Sequence, residues 1–515
     1  MKRINIRSDG RIFFTKKHNG YPAHISDKII HMIKLRDPFL IVVLLLSLVL
    51  GTSILTRGHE WGDDFASYIM QAQSILNGNM DEFIERNTFT IFESSVLIGP
   101  VAYPWGYPLV LTPVLLLKGV HALALKLPGL FFFAGFLVCL YLLIEARLTR
   151  TESLLLVSLL AFNPTLLRYL DYIISDMPFL FFVFLVLLWI TRLNAKQGIW
   201  TLVFLGTTIF LAFFIRTNGI ILLASFLADQ ALRFYQEQTK RKDRILNSTV
   251  VVAVFGVLWL SSSLIFPNGQ GAYFRQLMGF TWEKFITRNI PGYFYFGAEF
   301  LGIQRDSAWV YVYYLLVALF IVGAWKRRNA DQHILLFFII YLGAMIVWPE
   351  WQGIRFAFPV LPIFIYFAFQ GMNAFVRMLP ERQHLLGKGA VSLLWLILAG
   401  IFLFNSGTQA YANLKDGRKI NGPFDPFSSD MFNYIKAETP PESVVVFFKP
   451  RAMRLFTNRD SIMALECDHL TRGDYIVLHK TWEYSQILPD KIQDCNLPLT
   501  SMFENRRFII YEILK

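Results

Sequence analysis

The sequence predicts a mainly α-helical polytopic membrane protein of about eleven spanning helices, carrying a small C-terminal extracytoplasmic α/β domain. Three observations carry this expectation. Of 515 residues, 55% are hydrophobic, 16% aromatic and only 17% charged, a balance outside the soluble globular range. The apolar residues gather in runs close to the roughly 20 residues that cross a bilayer. Lys and Arg cluster in the loops between alternate runs, as the positive-inside rule requires.

Residues 1–37 form a basic cytoplasmic tail, too long and polar for the start of an ordinary signal peptide. Residues 38–410 form the membrane domain. Its first run, 38–56, leads outward into a long external loop, 57–127. In that loop the apolar stretch 109–117 is too short to cross and reads as re-entrant or interfacial. Spans follow at 128–144, 154–170, 178–190, 200–215, 219–232, 249–266, 309–325, 334–348, 356–375 and 391–405, with basic inside loops at Arg147, Arg192, 233–244, 326–328 and Arg377. This parity puts the N-terminus inside a cell (inner) membrane and the C-terminus outside. Beyond it, 411–515 offers an amphipathic helix at 428–438 and strand-like runs at 444–448, 474–478 and 507–513, the alternation of a small α/β domain.

The net charge of +12 lies in the tail and inside loops, so it sets orientation and calls for no nucleic-acid partner. Three cysteines are too few for a disulfide scaffold or a Cys-rich zinc site. Cys467 and Cys495 both fall in the external domain, where a bond between them would add roughly 3 kcal/mol; two unpaired buried thiols are the other reading.

The external face carries the chemistry. Asp63 and Asp64, in RGHEWGDDF, sit where the first run leaves the membrane, and carboxylates there can do acid–base or metal work on a lipid-borne substrate. The plainer reading of Asp64 is a helix N-cap. Asp176, in SDMPF, reads equally as a cap before Pro178 or as a functional group, and Asp171 lies in the same loop. Arg216, in FIRTNG, and Arg355, in WPEWQGIRF, are either snorkelling anchors or clamps for a lipid phosphate; Glu350 could pair with Arg355. Tyr103, Trp105 and Tyr107, in YPWGYP, are belt aromatics or sugar-stacking platforms. His59 and Glu60 precede the Asp pair, but HEWGDD matches no metal-ligand spacing. A divalent ion on oxygen ligands stays open, and no Gly-rich nucleotide-binding motif is present, so no organic cofactor is expected.

In this order the motifs GDDF, YPWGYPL, SDMPF, FIRTNG and GIRFAFPVLP, with the tail NYIKAETPPESVVVFFKPRAMRLFTNR, resemble those of the GT-C membrane glycosyltransferases. They are most similar to the bacterial glycosyltransferase family 39-like branch, whose relatives include protein O-mannosyltransferases and the aminoarabinose transferases that modify lipid A. The resemblance spans nearly the whole chain. It implies a sugar donor on a polyprenyl phosphate, and transfer with inversion to a glycolipid, polysaccharide or protein acceptor on the external face. It also implies catalytic roles for Asp63, Asp64 and Asp176, and donor-phosphate binding by Arg216 and Arg355. The commoner family pair is Asp-Glu; aligning Gly62-Asp63 with the family's Gly-Asp favours Asp63 as the base. A transporter or flippase for a lipid-linked glycan is the alternative of a different class, since intramembrane charges mark substrate paths there too. A catalytically silent envelope scaffold is a third.

Overall fold

The computed structural model describes residues 5–6, 12–13, 37–96, 98–269, 278–349, 351–481 and 484–514. The basic side chains of the tail and Glu350 lie outside them. The chain divides into Met1–Val43 and Leu44–Lys515. In the first part, β1 (Asn5–Ile6) pairs antiparallel with β2 (Ile12–Phe13) and α1 (Pro38–Ile54) begins.

The stretch 57–127, expected as an external loop, holds three helices, α2 (Asp64–Asn77), α3 (Met80–Phe92) and α4 (Gly106–Lys118). α4 covers the stretch read as re-entrant. The other expected spans each contain a helix: α5 (Ala122–Ile144), the bent pair α6 (Arg150–Ala161) and α7 (Pro164–Leu170), α8 (Asp176–Thr191), α9 (Ile199–Ile215), α10 (Ile220–Gln236), α11 (Arg241–Ile265), α12 (Val310–Arg327), α13 (Gln332–Val347), α14 (Leu361–Val376) and α15 (Glu381–Asp416). By length and apolarity, four helices among the described residues suffice alone to cross a bilayer, five with the bent pair taken as one. The outward surfaces of α11 and α15 are apolar, with Val257, Leu260, Leu264, Leu393, Leu396 and Phe404 exposed. Such surfaces suit lipid rather than water.

α15 outruns the expected boundary at residue 410. The polar stretch after Asn405 holds good helix formers, and the helix stops only at Gly417, whose φ of 63° few other residues adopt. The Asn413 amide there donates to the Ser53 and Leu55 carbonyls at 2.8 and 3.2 Å.

Two buried ionic networks sit at opposite ends of α5. Near its start, Lys126 donates to Asp171 at 2.6 Å and to the Gly58 carbonyl, and Asp171 also accepts from Thr56 and Arg418. Just past its end, Arg147 meets Asp331, which also takes Arg327 and the Tyr366 hydroxyl. From Lys126 to its end at Ile144 the helix rises about 27 Å, close to the hydrocarbon thickness of a bilayer.

The C-terminal part opens with α16 (Pro426–Glu438), followed by β3 (Val444–Val446), α17 (Pro450–Thr457), β4 (Asp460–Ile462), α18 (Cys467–Leu470), β5 (Tyr475–His479), α19 (Pro489–Asp494), β6 (Leu499–Glu504) and β7 (Phe508–Ile513). The sheet order is β4-β3-β5-β7-β6, with β3 parallel to β4 and β5 and the rest antiparallel. Val445, Tyr475 and Val477 face a core with Met431, Phe432 and Met453. Val446, Ile476 and Leu478 face the other, with Leu470 and Ile492. This period of two is what a strand covered on both faces demands. Cys467 and Cys495 are bonded, tying α18 to the end of α19.

Candidate active site

The Asp pair divides between two environments because a helix starts in its middle. Asp64 is the first residue of α2, and Asp63 precedes it with no side-chain cap. The Asp64 carboxylate turns away from the helix. Tyr103 Oη donates to its Oδ1 at 2.6 Å, and Arg355 Nη2 donates to its Oδ2 at 3.0 Å. It is an ion-pair partner, not a cap. Burial pushes this carboxyl up, but the Arg355 charge and the hydrogen bonds from Tyr103 and Arg355 outweigh it and hold the group below the usual carboxylate range.

Asp63 is buried. Its Oδ1 accepts from the backbone N–H of Arg451 at 3.2 Å, and among the described residues its Oδ2 has no partner. Burial lifts its carboxyl above the usual range, against the charges of Lys449 and Arg451.

Tyr103 is fixed from α2. The Gln71 amide donates to the Tyr103 carbonyl at 2.9 Å and accepts from its N–H at 3.1 Å. Tyr68 lies with its ring centroid 4.7 Å from Tyr103 and 4.9 Å from Tyr107, and shares a 3.0 Å hydrogen bond with Ser175. Tyr107 is therefore a buried backing ring. Trp105 faces another way: its indole N–H donates to the Pro267 carbonyl at 2.9 Å and its ring stacks on Phe266. With Tyr103, Phe213 and Ser262 it lines a cavity of about 220 Å³.

The second charge pair comes from the spans. Asp176 is the first residue of α8, again with no capping bond, and it pairs with Arg216, which directly follows α9. Gly106 is needed nearby. A Cβ there would come within 2.5 Å of the Phe214 carbonyl, so only glycine lets α4 pack on the segment that delivers Arg216. Arg355 arrives on a short turn, Ile354–Ala357, that Gly353 starts at φ 77°. Both guanidiniums flank the Phe356 ring, Arg216 at 4.4 Å and Arg355 at 5.3 Å from its centroid.

Asp64, Asp176, Arg216, Arg355 and Tyr103 thus come together from five separated segments. His59 and Glu60 do not join them. His59 Nε2 accepts from the Ile173 N–H at 3.0 Å, and burial takes the imidazole down to about 4. Glu60 is held by Tyr172 and by Arg168 at 3.2 Å. Asp171 serves the Lys126 network. Among the described residues, no three His, Cys, Asp or Glu side chains converge as a metal-holding group. Sequence reasoning missed Tyr68, Ser175, Phe356 and Arg451. Only Arg451 left a signal, as a cation next to the proline that opens an amphipathic helix of the C-terminal domain.

No protein-family model matches the sequence, and no curated protein matches it. Solved structures do. ArnT from Cupriavidus metallidurans bound to undecaprenyl phosphate superposes with a TM-score of 0.54 at 12% identity, over 92% of this chain and 97% of that one. The Archaeoglobus fulgidus oligosaccharyltransferase tethered to an acceptor peptide gives 0.58 at 12% identity, over 85% of this chain and 69% of that one. The archaeal oligosaccharyltransferase AglB, in complex with an inhibitory peptide and a dolichol-phosphate, gives 0.56 at 13%, over 86% and 70%. The chain has the fold of the GT-C membrane glycosyltransferases.

Proposed function

We propose that this chain transfers a sugar from a polyprenyl-phosphate donor to an acceptor on the extracytoplasmic face, with inversion. The acceptor is a hydroxyl of an envelope glycolipid, polysaccharide or protein. The observation that carries the reading is the meeting of the Asp64–Arg355 and Asp176–Arg216 pairs around Phe356. The fold likeness to proteins solved with undecaprenyl phosphate and dolichol-phosphate supports a lipid-linked donor.

Asp64 is the general base. It takes the proton from the acceptor hydroxyl as that oxygen bonds to the anomeric carbon, while the bond from that carbon to the phosphate oxygen breaks. Asp63, buried and turned to the Arg451 backbone N–H rather than to Arg216 or Arg355, fastens the start of α17 to the start of α2 instead. Arg355 and Arg216 neutralise the leaving phosphate as its charge develops. The arriving phosphate competes with Asp64 for Arg355. Losing that partner raises the basicity of Asp64 when the acceptor needs deprotonating. Tyr103 and Trp105, on the wall of the neighbouring cavity, contact the sugar, with Tyr107 backing Tyr68 beside Tyr103. In this reading the eleven helical segments are eleven spans of the inner membrane, the N-terminus is cytoplasmic, and the C-terminal domain is extracytoplasmic.

The test is product formation by the purified chain in lipid nanodiscs, given a polyprenyl-phosphate sugar and candidate acceptors. Movement of the lipid-linked sugar across a vesicle bilayer with no transfer would overturn the proposal in favour of a flippase.

A further inference from the structure

A polar crevice of about 360 Å³ lies between α2, α3 and α17 of the C-terminal domain, at the end of α2 remote from Asp64. Its volume lies in the range of small-molecule sites, roughly 300–1,000 Å³. Asn77, on its wall, is 13 residues from Asp64, about 20 Å along α2.

The crevice is built around Arg454, which is only 4% exposed. Buried guanidiniums are ordinarily held by carboxylates, because desolvating the charge is costly without one. Arg454 has none within ion-pair distance among the described residues. Its Nε reaches the Met70 sulfur at 3.4 Å and its Nη1 the Thr90 hydroxyl at 3.4 Å, both weak partners. The nearby Asp460 is held by Arg86 at 2.9 Å, and Arg86 also donates to Asn458. Burial and the Arg86 charge pull the Arg454 guanidinium down to about 9, and the Asp460 and Glu82 carboxylates offset this only in part. The remaining wall is Gln73, Ser74, Asn77, Asn79, Glu82, Phe83 and Leu455. The Gln73, Asn77 and Asn79 amides offer both donors and acceptors to hydroxyl groups.

We propose that this crevice is a second ligand site, remote from the Asp64 cluster, that binds a sugar bearing an anionic phosphate or carboxylate group. Arg454 takes the anionic group and the amides of Gln73, Asn77 and Asn79 take the hydroxyls. The site spans the external loop and the C-terminal domain, so its ligand also fastens one to the other. The inference does not rest on the transfer reaction.

Calorimetric titration of the full-length chain in detergent tests it, with glucose 6-phosphate, inorganic phosphate and glucose as probes. Glucose 6-phosphate should bind at least tenfold more tightly than glucose and several-fold more tightly than phosphate. Asn77→Asp, an exposed change that sets a negative charge on the rim, should weaken it at least fivefold, as should Arg454→Gln. Arg355→Gln should leave it unchanged. Absence of glucose 6-phosphate binding overturns the proposal. So does binding that survives Asn77→Asp and Arg454→Gln but is lost in Arg355→Gln, which would put the anion in the Asp64 cluster. Equal affinity for phosphate and glucose 6-phosphate would overturn the saccharide part and leave a free-anion site.

Discussion

Asp64→Asn separates chemistry from architecture at this site. Asparagine keeps the size, and its amide oxygen still accepts from Tyr103. What is lost is the pair with Arg355. The two side chains are 29% and 25% exposed, so that pair is worth about 0.5–1 kcal/mol. Losing a negative charge at the first residue of α2 costs a further 0.3–1 kcal/mol or so. A total of about 1–2 kcal/mol leaves a protein of ordinary stability folded. Removing the base should instead lower transfer about 10²–10⁴-fold, equivalent to roughly 2.7–5.4 kcal/mol on the barrier. Because Asp64 also competes with donor phosphate for Arg355, donor affinity in the variant should hold or tighten. The assay is turnover per monodisperse molecule in nanodiscs, with donor affinity measured separately. Retention of more than about a tenth of wild-type turnover would refute the general-base assignment. A fall in turnover matched by an equal loss of folded protein would refute it too.

Arg355→Gln and Arg216→Gln should each weaken donor use with the fold intact, and Lys should rescue only partly if the contact is a bidentate fork; unchanged donor affinity and turnover in both Gln variants would make them anchors. Asp63→Asn should retain far more transfer than Asp64→Asn. The raised carboxyl of Asp63 means that its ionised form destabilises the fold above the folded-state pKa. Thermal melts should therefore show the Asn variant gaining stability at neutral pH, with the gain fading as pH falls through that pKa. Cys467→Ser with Cys495→Ser opens a 28-residue separation and should cost the C-terminal domain roughly 3.5 kcal/mol in the chain-entropy model, read by protease resistance of that domain. Cysteine-accessibility labelling of intact cells should mark the 57–127 loop and not 233–244; external labelling in 233–244 would invert the topology.

Apolar run length made the helical segments legible, since each expected span contains a helix whatever the loop chemistry. The ends were less so. α15 continues six residues past the expected boundary because helix propensity persists after hydrophobicity stops. In the C-terminal domain, β4 is three residues long and β6 is largely exposed on both faces, so neither leaves a hydrophobic pattern to read. At the site, the residue types were legible and their pairings were not. Asp63 and Asp64 are adjacent in sequence, but successive positions at a helix start point about 100° apart, and only the tertiary fold decides which one meets Arg355. The family alignment favoured Asp63; the arginine and tyrosine contacts belong to Asp64. Lys126 shows the opposite case. Its sequence position drew no expectation at all, yet it is fully buried on Asp171.

Buried charge alone does not mark the active site in this molecule. Lys126–Asp171 and Arg147–Asp331 are drier than either pair at the candidate site, with exposures of 0% and 1%, and of 9% and 0%. Breaking such pairs costs about 3–5 kcal/mol, which a substrate phosphate would have to supply before gaining anything. The same phosphate meets a different situation at Asp64–Arg355, where both partners reach solvent and the pair is worth less than the contact replacing it. Asp176–Arg216 falls between, with Asp176 nearly dry and Arg216 14% exposed. In the proposed reaction the two arginines therefore have different tasks. Arg216 stays fastened to Asp176 and presents its open side, a fixed charge that costs no rearrangement during the reaction. Arg355 is the exchangeable one, and its exchange couples arrival of the donor to release of the base.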